Sequence, residues 1–549
     1  MERFTQEAFE ERSRRLGPLL VLDDVLSLHV GKTPSPILFA YPRGDGGRGD
    51  DFWDKYTAAQ LDGYVDAAVR HLLDSGHEPK LGRVVGILGA PNLDWVVHLF
   101  ALSRLGYCVA MMSLRQKAVG LANLLVLGHG DAVAYDATPG TKELVEGVVA
   151  LQPSATTTTI PFVPRAVYTA AATTATTTTT TRKRFFSREE QNRTMALLFS
   201  TSGSTGLPRP IPYRHAHIAL SMFTSTEPLS SILSWPLYHG WGLSVLLGTF
   251  YYGETCHVMD TITLPEVTGA AFIEALEAAR PRFVPSPPHN VALIARDPRG
   301  LACLRAAEYV TTGGARLPDE LGAYLVEQGV NISTSMGSSE ATRNFATSMY
   351  RPRGDPEWDY VQIAPVLRPH ILLDPVPGSA PLHEIVFLPE FPGLGGSTNS
   401  DDPRPGSYRT GDIMRPHPEK PDAWKFVCRN GDFLALSTTL KVLGAPFEDR
   451  VERSPLVEAA VVVGEGRTAP GMLVLPTEEG EGMGREGLLD GIWPMVEEAN
   501  KVVPGHSEMA RERVCVLPRT AKLPRTDKGN VVRQKVYAEF ASEIDGLYN

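Results

Sequence analysis

The chain has 549 residues, well past the ~250–300 at which a single core stops growing, so two or more structural units are expected. A composition of 43% hydrophobic and 21% charged residues suits a globular enzyme, and a net charge of −10 argues against non-specific nucleic-acid binding, which needs a basic face to displace counterions. Cys108, Cys256, Cys303, Cys428 and Cys515 form no CxxC pair, which argues against a zinc site or a disulfide framework and for buried thiols in a reducing compartment.

The N-terminal stretch MERFTQEAFEERSRR is charged and lacks an apolar signal core, and no apolar run reaches the ~20 residues of a membrane span, so a cytosolic protein with no membrane partner is expected. Thr57 to Gly76 reads as a helix: Thr57 and Gln60 fit a capping box, Leu61, Tyr64, Val65, Ala68, Val69 and Leu72 share a face, and Gly76 closes the end. A strand over 84–89 and a helix around Trp95–Leu105 follow. From about 154 to 184 Thr and Ala dominate, ending in Arg182-Lys-Arg184, and a flexible surface insertion is expected because the segment has little apolar surface to bury. Strands are expected at 194–199, 384–388, 459–463 and 472–475, and a boundary near Asn430-Gly431. Short apolar strands alternating with helical patterns predict an α/β fold with sheets covered on both faces, a large part over 1–430 and a smaller α/β domain over 431–549.

The strand at 194–199 runs into Ser200-Thr-Ser-Gly-Ser-Thr-Gly206. Gly203 and Gly206 permit tight backbone turns, whose successive N–H groups form an anion nest. Thr201, Ser202, Ser204 and Thr205 add hydroxyl donors, and Arg209 adds a fixed positive charge. No GK[ST] ends the loop, so it is not a Walker loop. A solvated linker is the other reading of these residues by themselves.

The longer string TSGSTGLPR resembles the phosphate loop of the adenylate-forming superfamily of acyl-CoA synthetases, nonribosomal peptide synthetase adenylation domains and luciferases. The resemblance continues in order along the chain. Pro236-Leu-Tyr-His-Gly-Trp-Gly-Leu243 is similar to the substrate-side motif, which implies that His239 helps shape the acid pocket; a structural histidine is the alternative. Thr311-Thr-Gly-Gly-Ala315 resembles the segment that packs on adenine and the acyl group, implicating Gly313, Gly314 and Ala315. Ser335-Met-Gly-Ser-Ser-Glu340 resembles the Tyr-Gly-x-Thr-Glu motif. It implies Met336 and Gly337 near adenine, a Ser339 hydroxyl on the α-phosphate, and Glu340 as a hard oxygen ligand for Mg²⁺. Met336 stands where an aromatic is usual. Ser407-Tyr-Arg-Thr-Gly-Asp412 and Arg429 resemble the ribose-binding pair, and the usual hinge acid falls on Gly431.

The C-terminal part narrows the resemblance. Asp432 to Glu448 and Ser454 to Arg467 are similar to the fungal NRPS-like branch of secondary metabolism, the aryl and alkyl carboxylic acid reductases, with Ser437 and Lys441 on motif positions. Leu523-Pro-Arg-Thr-Asp-Lys-Gly-Asn-Val-Val-Arg533 resembles the last family motif. Aligned on Arg533, the usual lysine position is Asn530, and Lys528 two residues earlier is the candidate catalytic cation. Attack of a carboxylate on a phosphate is repulsive by ~1–4 kcal/mol at 4 Å, and a positioned cation removes that repulsion.

The resemblance implies a large adenylation domain with a mobile C-terminal domain, and a ligase that uses ATP and Mg²⁺ to convert a carboxylic acid to acyl-AMP and pyrophosphate. The acyl group then goes to a phosphopantetheine carrier, in cis or in trans, or to CoA. No carrier signature and no nicotinamide loop is found, so an excised module and a free-standing one are both open. A free-standing acyl-CoA ligase is one alternative. A nucleotide-binding sensor without catalysis is another, permitted by Met336, Gly431 and Asn530.

Overall fold

The computed structural model describes residues 20–43, 49–152, 157–174, 185–202, 208–225, 227–259, 269–341, 343–377, 381–394, 398–430, 433–437, 441–503, 505–525 and 531–548. The chain gathers into two compact units. One comprises 1–372, 386–409 and 417–424, and the other 373–385, 410–416 and 425–549, so the second takes in short stretches upstream of 431.

The first unit holds a six-stranded sheet in the order Thr158–Pro161, Ala132–Tyr135, Val84–Leu88, Cys108–Met111, Met195–Ser202, Pro208–Arg214. Its members are parallel except for the last pair. Every residue of the strands Val84–Leu88, Cys108–Met111 and Ala132–Tyr135 is buried, as expected of parallel strands roofed on both faces. The helix Leu93–Arg104 packs on Val84–Leu88 and Cys108–Met111, and against it lies the helix Ala58–Asp74, whose Thr57–Gln60 capping box forms as the sequence predicts (Gln60 N to Thr57 Oγ1 3.2 Å, Thr57 N to Gln60 Oε1 2.9 Å). At its other end Gly76 N donates to Leu73 O and His77 N to Leu72 O.

A second set of strands in this unit runs Tyr360–Ile363, Arg343–Thr347, Ile332–Ser338, Tyr309–Gly313, Phe283–Pro285, Ser231–Leu233, Cys256–Val258, Ile37–Pro42, Trp53–Thr57. Its centre is parallel and its margins antiparallel. The parallel strands all end at the same side, which brings the residues after Leu233, Pro285, Gly313 and Ser335 together. Open α/β sheets bind ligands at that carboxyl edge.

The Thr-rich segment differs from expectation. Residues 153–156 and 175–184 lie outside the described residues, but Thr158–Pro161 is a sheet strand and Arg165–Thr174 a helix. The tie is made by residues that the Thr content hides. Tyr168 is fully buried, and both its hydroxyl and Arg165 reach the Asp94 carboxylate (Arg165 Nη2 to Oδ2 2.6 Å). Val163 N donates to His98 Nε2 at 2.7 Å, while His98 Nδ1 meets Asp94 O at 2.6 Å. Burial lowers the His98 pKa to about 4, so the ring is neutral and accepts on one nitrogen while donating from the other.

In the second unit the strands Val457–Val463, Gly471–Pro476 and Val514–Val516 form a three-stranded sheet. Side chains alternate across it. Ala460, Val462, Met472 and Val474 pack with Phe447 and with Leu488, Leu489, Ile492 and Val496 of the helix Gly484–Asn500. Val461, Val463, Leu473 and Leu475 pack on the opposite face with Leu523, Val536 and Ile544. None of the five cysteines is in a disulfide; Cys108, Cys256 and Cys428 are buried, and Cys303 and Cys515 are half-buried. No helix among the described residues is long and apolar enough to cross a membrane.

Candidate active site

In the first unit the phosphate motif falls between two antiparallel strands. Met195–Ser202 pairs with Pro208–Arg214 in the register Ser200↔Pro210, Thr201↔Arg209 and Ser202↔Pro208. The tip, with Gly203, Ser204, Thr205 and Gly206, lies outside the described residues, and Thr201 and Ser202 are the last residues of its first strand. The stem is well seated. Leu197, Leu198 and Phe199 are buried, and Asn123 Nδ2 donates to Pro208 O at 3.0 Å. Arg209 is exposed at the tip's edge and makes no ion pair among the described residues, which leaves its charge available to an anion.

The strand Ile332–Ser338 delivers the metal motif. Gly313 is paired with Ser335, so the adenine-side and metal-side motifs adjoin. Met336 is buried within the strand at 9% exposure, where it packs as core; Gly337 is exposed. Beyond it, Ser338 Oγ donates to Glu340 Oε2 at 2.6 Å, and Glu340 N donates to Ser338 Oγ at 3.2 Å. The Glu340 carboxylate is therefore oriented by its own turn. Sequence reasoning did not single out Ser338 for this task; the backbone carbonyl of Ser339, whose hydroxyl is the candidate for the α-phosphate, accepts from Tyr213 Oη at 3.0 Å. Tyr213 was also missed, because nothing in a strand's alternation says which element its side chain will meet.

Among the described residues, no three His, Cys, Asp or Glu side chains cluster as a metal cage. Glu340 suits another kind of site, one hard carboxylate oxygen with phosphate and water supplying the rest, which is how Mg²⁺ is commonly held. Glu340 is half-exposed and Oε1 has no hydrogen-bond partner among the described residues, so an oxygen is available to such an ion.

Two glycines make room for an aromatic cluster. A Cβ on Gly313 would stand 2.5 Å from Ser335 O and 3.0 Å from the Trp241 ring, and one on Gly314, where φ is +73°, 2.8 Å from the Trp235 ring. Only glycine permits these approaches. Trp235 and Trp241 lie 5.1 Å apart between ring centroids, and Tyr238 lies 4.7 Å from His239. His239 is half-exposed and precedes the helix Gly240–Tyr252 as its N-cap residue, and Ala315 is half-exposed after the glycines. Trp241 Nε1 is buried with no hydrogen-bond partner among the described residues. Trp235 was not singled out from sequence, since it lies just ahead of the motif that names His239.

In the second unit the two ribose candidates meet: Arg429 Nε donates to Asp412 Oδ1 at 3.0 Å. Asp412 is nearly buried, its side chain 7% exposed against 67% for Arg429. Its backbone is pinned by Asp412 N to Thr410 Oγ1 at 2.9 Å, Thr410 Oγ1 to Ile385 O at 2.8 Å and Gly411 N to Glu384 Oε1 at 3.1 Å. Gly431 and Lys528 lie outside the described residues. The flanks of Lys528 are fixed, however: Arg525 and Val531 form an antiparallel bridge, and Val532 N donates to Pro524 O at 2.9 Å. Arg533 clamps the far side, with Nη2 on both Glu448 oxygens at 2.8 and 2.7 Å and Nη1 on Val462 O at 2.8 Å.

The family model for AMP-binding enzymes matches residues 34–375, and that for the AMP-binding enzyme C-terminal domain matches 431–549. An adenylate-forming reductase of Serpula lacrymans is 28% identical over 377 residues, 64% of this chain and 33% of that protein. The carboxylic acid reductase of Neurospora crassa is 26% identical over 384 residues, 66% of this chain and 36% of that protein. The chain thus spans about a third of the length of these relatives. Among solved structures, the adenylation domain of a carboxylate reductase from Mycobacterium chelonae superposes with a TM-score of 0.71 at 18% identity, covering 99% of this chain and 93% of that one. The shared fold is an α/β adenylation fold with a C-terminal subdomain.

Proposed function

The chain belongs to the AMP-binding enzymes, an adenylate-forming family, and from that premise we propose that it activates a carboxylic acid as an acyl-adenylate and passes the acyl group to the phosphopantetheine thiol of a carrier domain. The observation that carries the reading is the Tyr213–Ser339 hydrogen bond: at 3.0 Å it joins the stem of the phosphate hairpin to the turn that bears Glu340. The motifs for polyphosphate and for metal are thereby neighbours in one unit.

In this reading the hairpin tip and Arg209 hold the β- and γ-phosphates of ATP. Glu340 would hold Mg²⁺, which when bound offsets phosphate charge. A carboxylate oxygen of the acid attacks the α-phosphorus, the bond to the bridging oxygen breaks, and pyrophosphate leaves. Lys528 neutralises the approaching anions. Asp412 accepts from the ribose hydroxyls, a task for which a pre-oriented carboxylate is suited, and Arg429 steadies that carboxylate. The acid sits against Gly313, Gly314, His239 and Trp241. The thiol sulfur then attacks the acyl carbon and AMP leaves. The reading divides the chain at 430/431 and includes a rotation of 431–549 about 430–432 between the two half-reactions. The matched stretch is about a third of the curated relatives, and their remaining length has room for a carrier in cis.

Exchange of labelled pyrophosphate into ATP, run with a panel of aryl and alkyl acids, tests the reading. Acid-dependent exchange is expected, and Lys528→Ala should abolish it while ATP binding persists. No exchange with any acid would leave a nucleotide sensor. Offering the acyl-AMP a carrier protein or CoA separates the two acceptors.

A further inference from the structure

One phenol stands at a junction of three pieces of the first unit. Tyr213 lies on the second strand of the phosphate hairpin, paired with Leu197. It is 3% exposed, its ring lies 4.6 Å from that of Phe199, and its hydroxyl donates to Ser339 O at 3.0 Å. The same hydroxyl lies 3.2 Å from where a Cβ on Gly240 would stand, at the start of the helix that follows His239. The ring belongs to the hairpin, and the hydroxyl reaches both the Glu340 turn and the helix start.

We propose that Tyr213 is a positioning residue that sets the Glu340 carboxylate relative to the phosphate hairpin. The turn is held from two sides. Ser338 Oγ fixes the carboxylate from within at 2.6 Å, and Tyr213 Oη fixes the peptide between Ser339 and Glu340 from outside. With the outer tie removed, that peptide can rotate and carry Glu340 off the place where its carboxylate would hold a cation. A misplacement of about 1 Å is enough to matter to such chemistry. The absent side chain at Gly240 is part of the device, because a methyl there would press on the hydroxyl. The inference rests on the adenylation reading for its catalytic consequence, but not for its effect on metal-dependent ATP binding.

Tyr213→Phe keeps the ring and deletes only the hydroxyl, so the fold should persist. Equilibrium dialysis of ATP with and without Mg²⁺ should show metal-free affinity unchanged and the gain from Mg²⁺ reduced about tenfold, as for a lost hydrogen bond at an ordered site. In pyrophosphate exchange, kcat should fall by a similar factor with the KM for the acid unchanged. Gly240→Ala should produce the same Mg²⁺ deficit in the wild-type background and no further deficit in the Tyr213→Phe background, because both act through one hydroxyl. An unchanged Mg²⁺ gain in Tyr213→Phe, or deficits that simply add, would overturn the assignment. If the wild type shows no exchange but Tyr213→Phe still loses the Mg²⁺ gain, the adenylation reading falls and the positioning role stands.

Discussion

At the scale of single residues, two candidate carboxylates, one in each unit, are held in contrasting ways. Glu340 is gripped by a hydroxyl two residues away, so its charge is oriented without being neutralised. Glu340→Ala should therefore raise the Mg²⁺ concentration needed for half-maximal exchange and leave metal-free ATP binding intact, which a Mg²⁺ titration of both activities checks. Asp412 is nearly buried and paired with an exposed arginine. Asp412→Ala should weaken ATP by about ten- to a hundredfold, the worth of charge-assisted hydrogen bonds to hydroxyls. Binding of 2′,3′-dideoxy-ATP should barely change, since that ligand lacks the groups Asp412 would hold. Motif spacing marks Glu340, Asp412 and Arg429 as candidates, because it names residue types that the proposed chemistry demands, and the structure pairs Asp412 with Arg429. Ser338, Tyr213 and Trp235 are not so marked. Their roles come from which element a side chain meets after folding, and no local pattern encodes that.

At the scale of elements, most strands and helices followed from period and capping, as the Thr57–Gln60 box shows. The segment around 158–174 did not, because Thr content averaged over a window conceals the few side chains that tie it down. Tyr168 fills space beside Tyr64 and His98 and bonds Asp94. Tyr168→Ala should cost about 3–5 kcal/mol, the range for emptying a large aromatic site, as read from the denaturant midpoint. A loose insertion would show no change. The segment that flanks Lys528 illustrates the reverse case. The sequence marks its register by Arg533, and the structure gives that residue a task, since its three hydrogen bonds moor the helix Arg533–Glu539 beside the strand Val457–Val463.

At the scale of the whole molecule, the second unit carries a pH-sensitive buried carboxyl. In the second unit burial, aided by the nearby Glu448, raises the Glu452 carboxyl to about 7, although the amide of Ala460 donates to it at 2.9 Å. A folded pKa above the unfolded value means that the native state binds the extra proton. Stability from this group is full below the unfolded pKa near 4.5 and declines as pH rises toward 7. Glu452→Gln should flatten that decline in the melting of the second unit between pH 4.5 and 7. A slope unchanged by the substitution would show that other groups set it. Sequence alone gave two units and a division near 430. It could not show that stretches at 373–385 and 410–416 join the later unit, because such long-range pairing leaves no local mark.

The distribution of thiols has a practical consequence. Burial pushes the sulfurs of Cys108 and Cys256 up to about 12, so neither is a nucleophile at neutral pH while its sheet is closed. Cys108 belongs to the six-stranded sheet and Cys256 to the neighbouring set of strands, whereas Cys428 and Cys515 lie in the second unit. A pulse of iodoacetamide during slow heating, followed by peptide mass mapping, would thus write the order of opening into the chain, each tag dating the exposure of its own region.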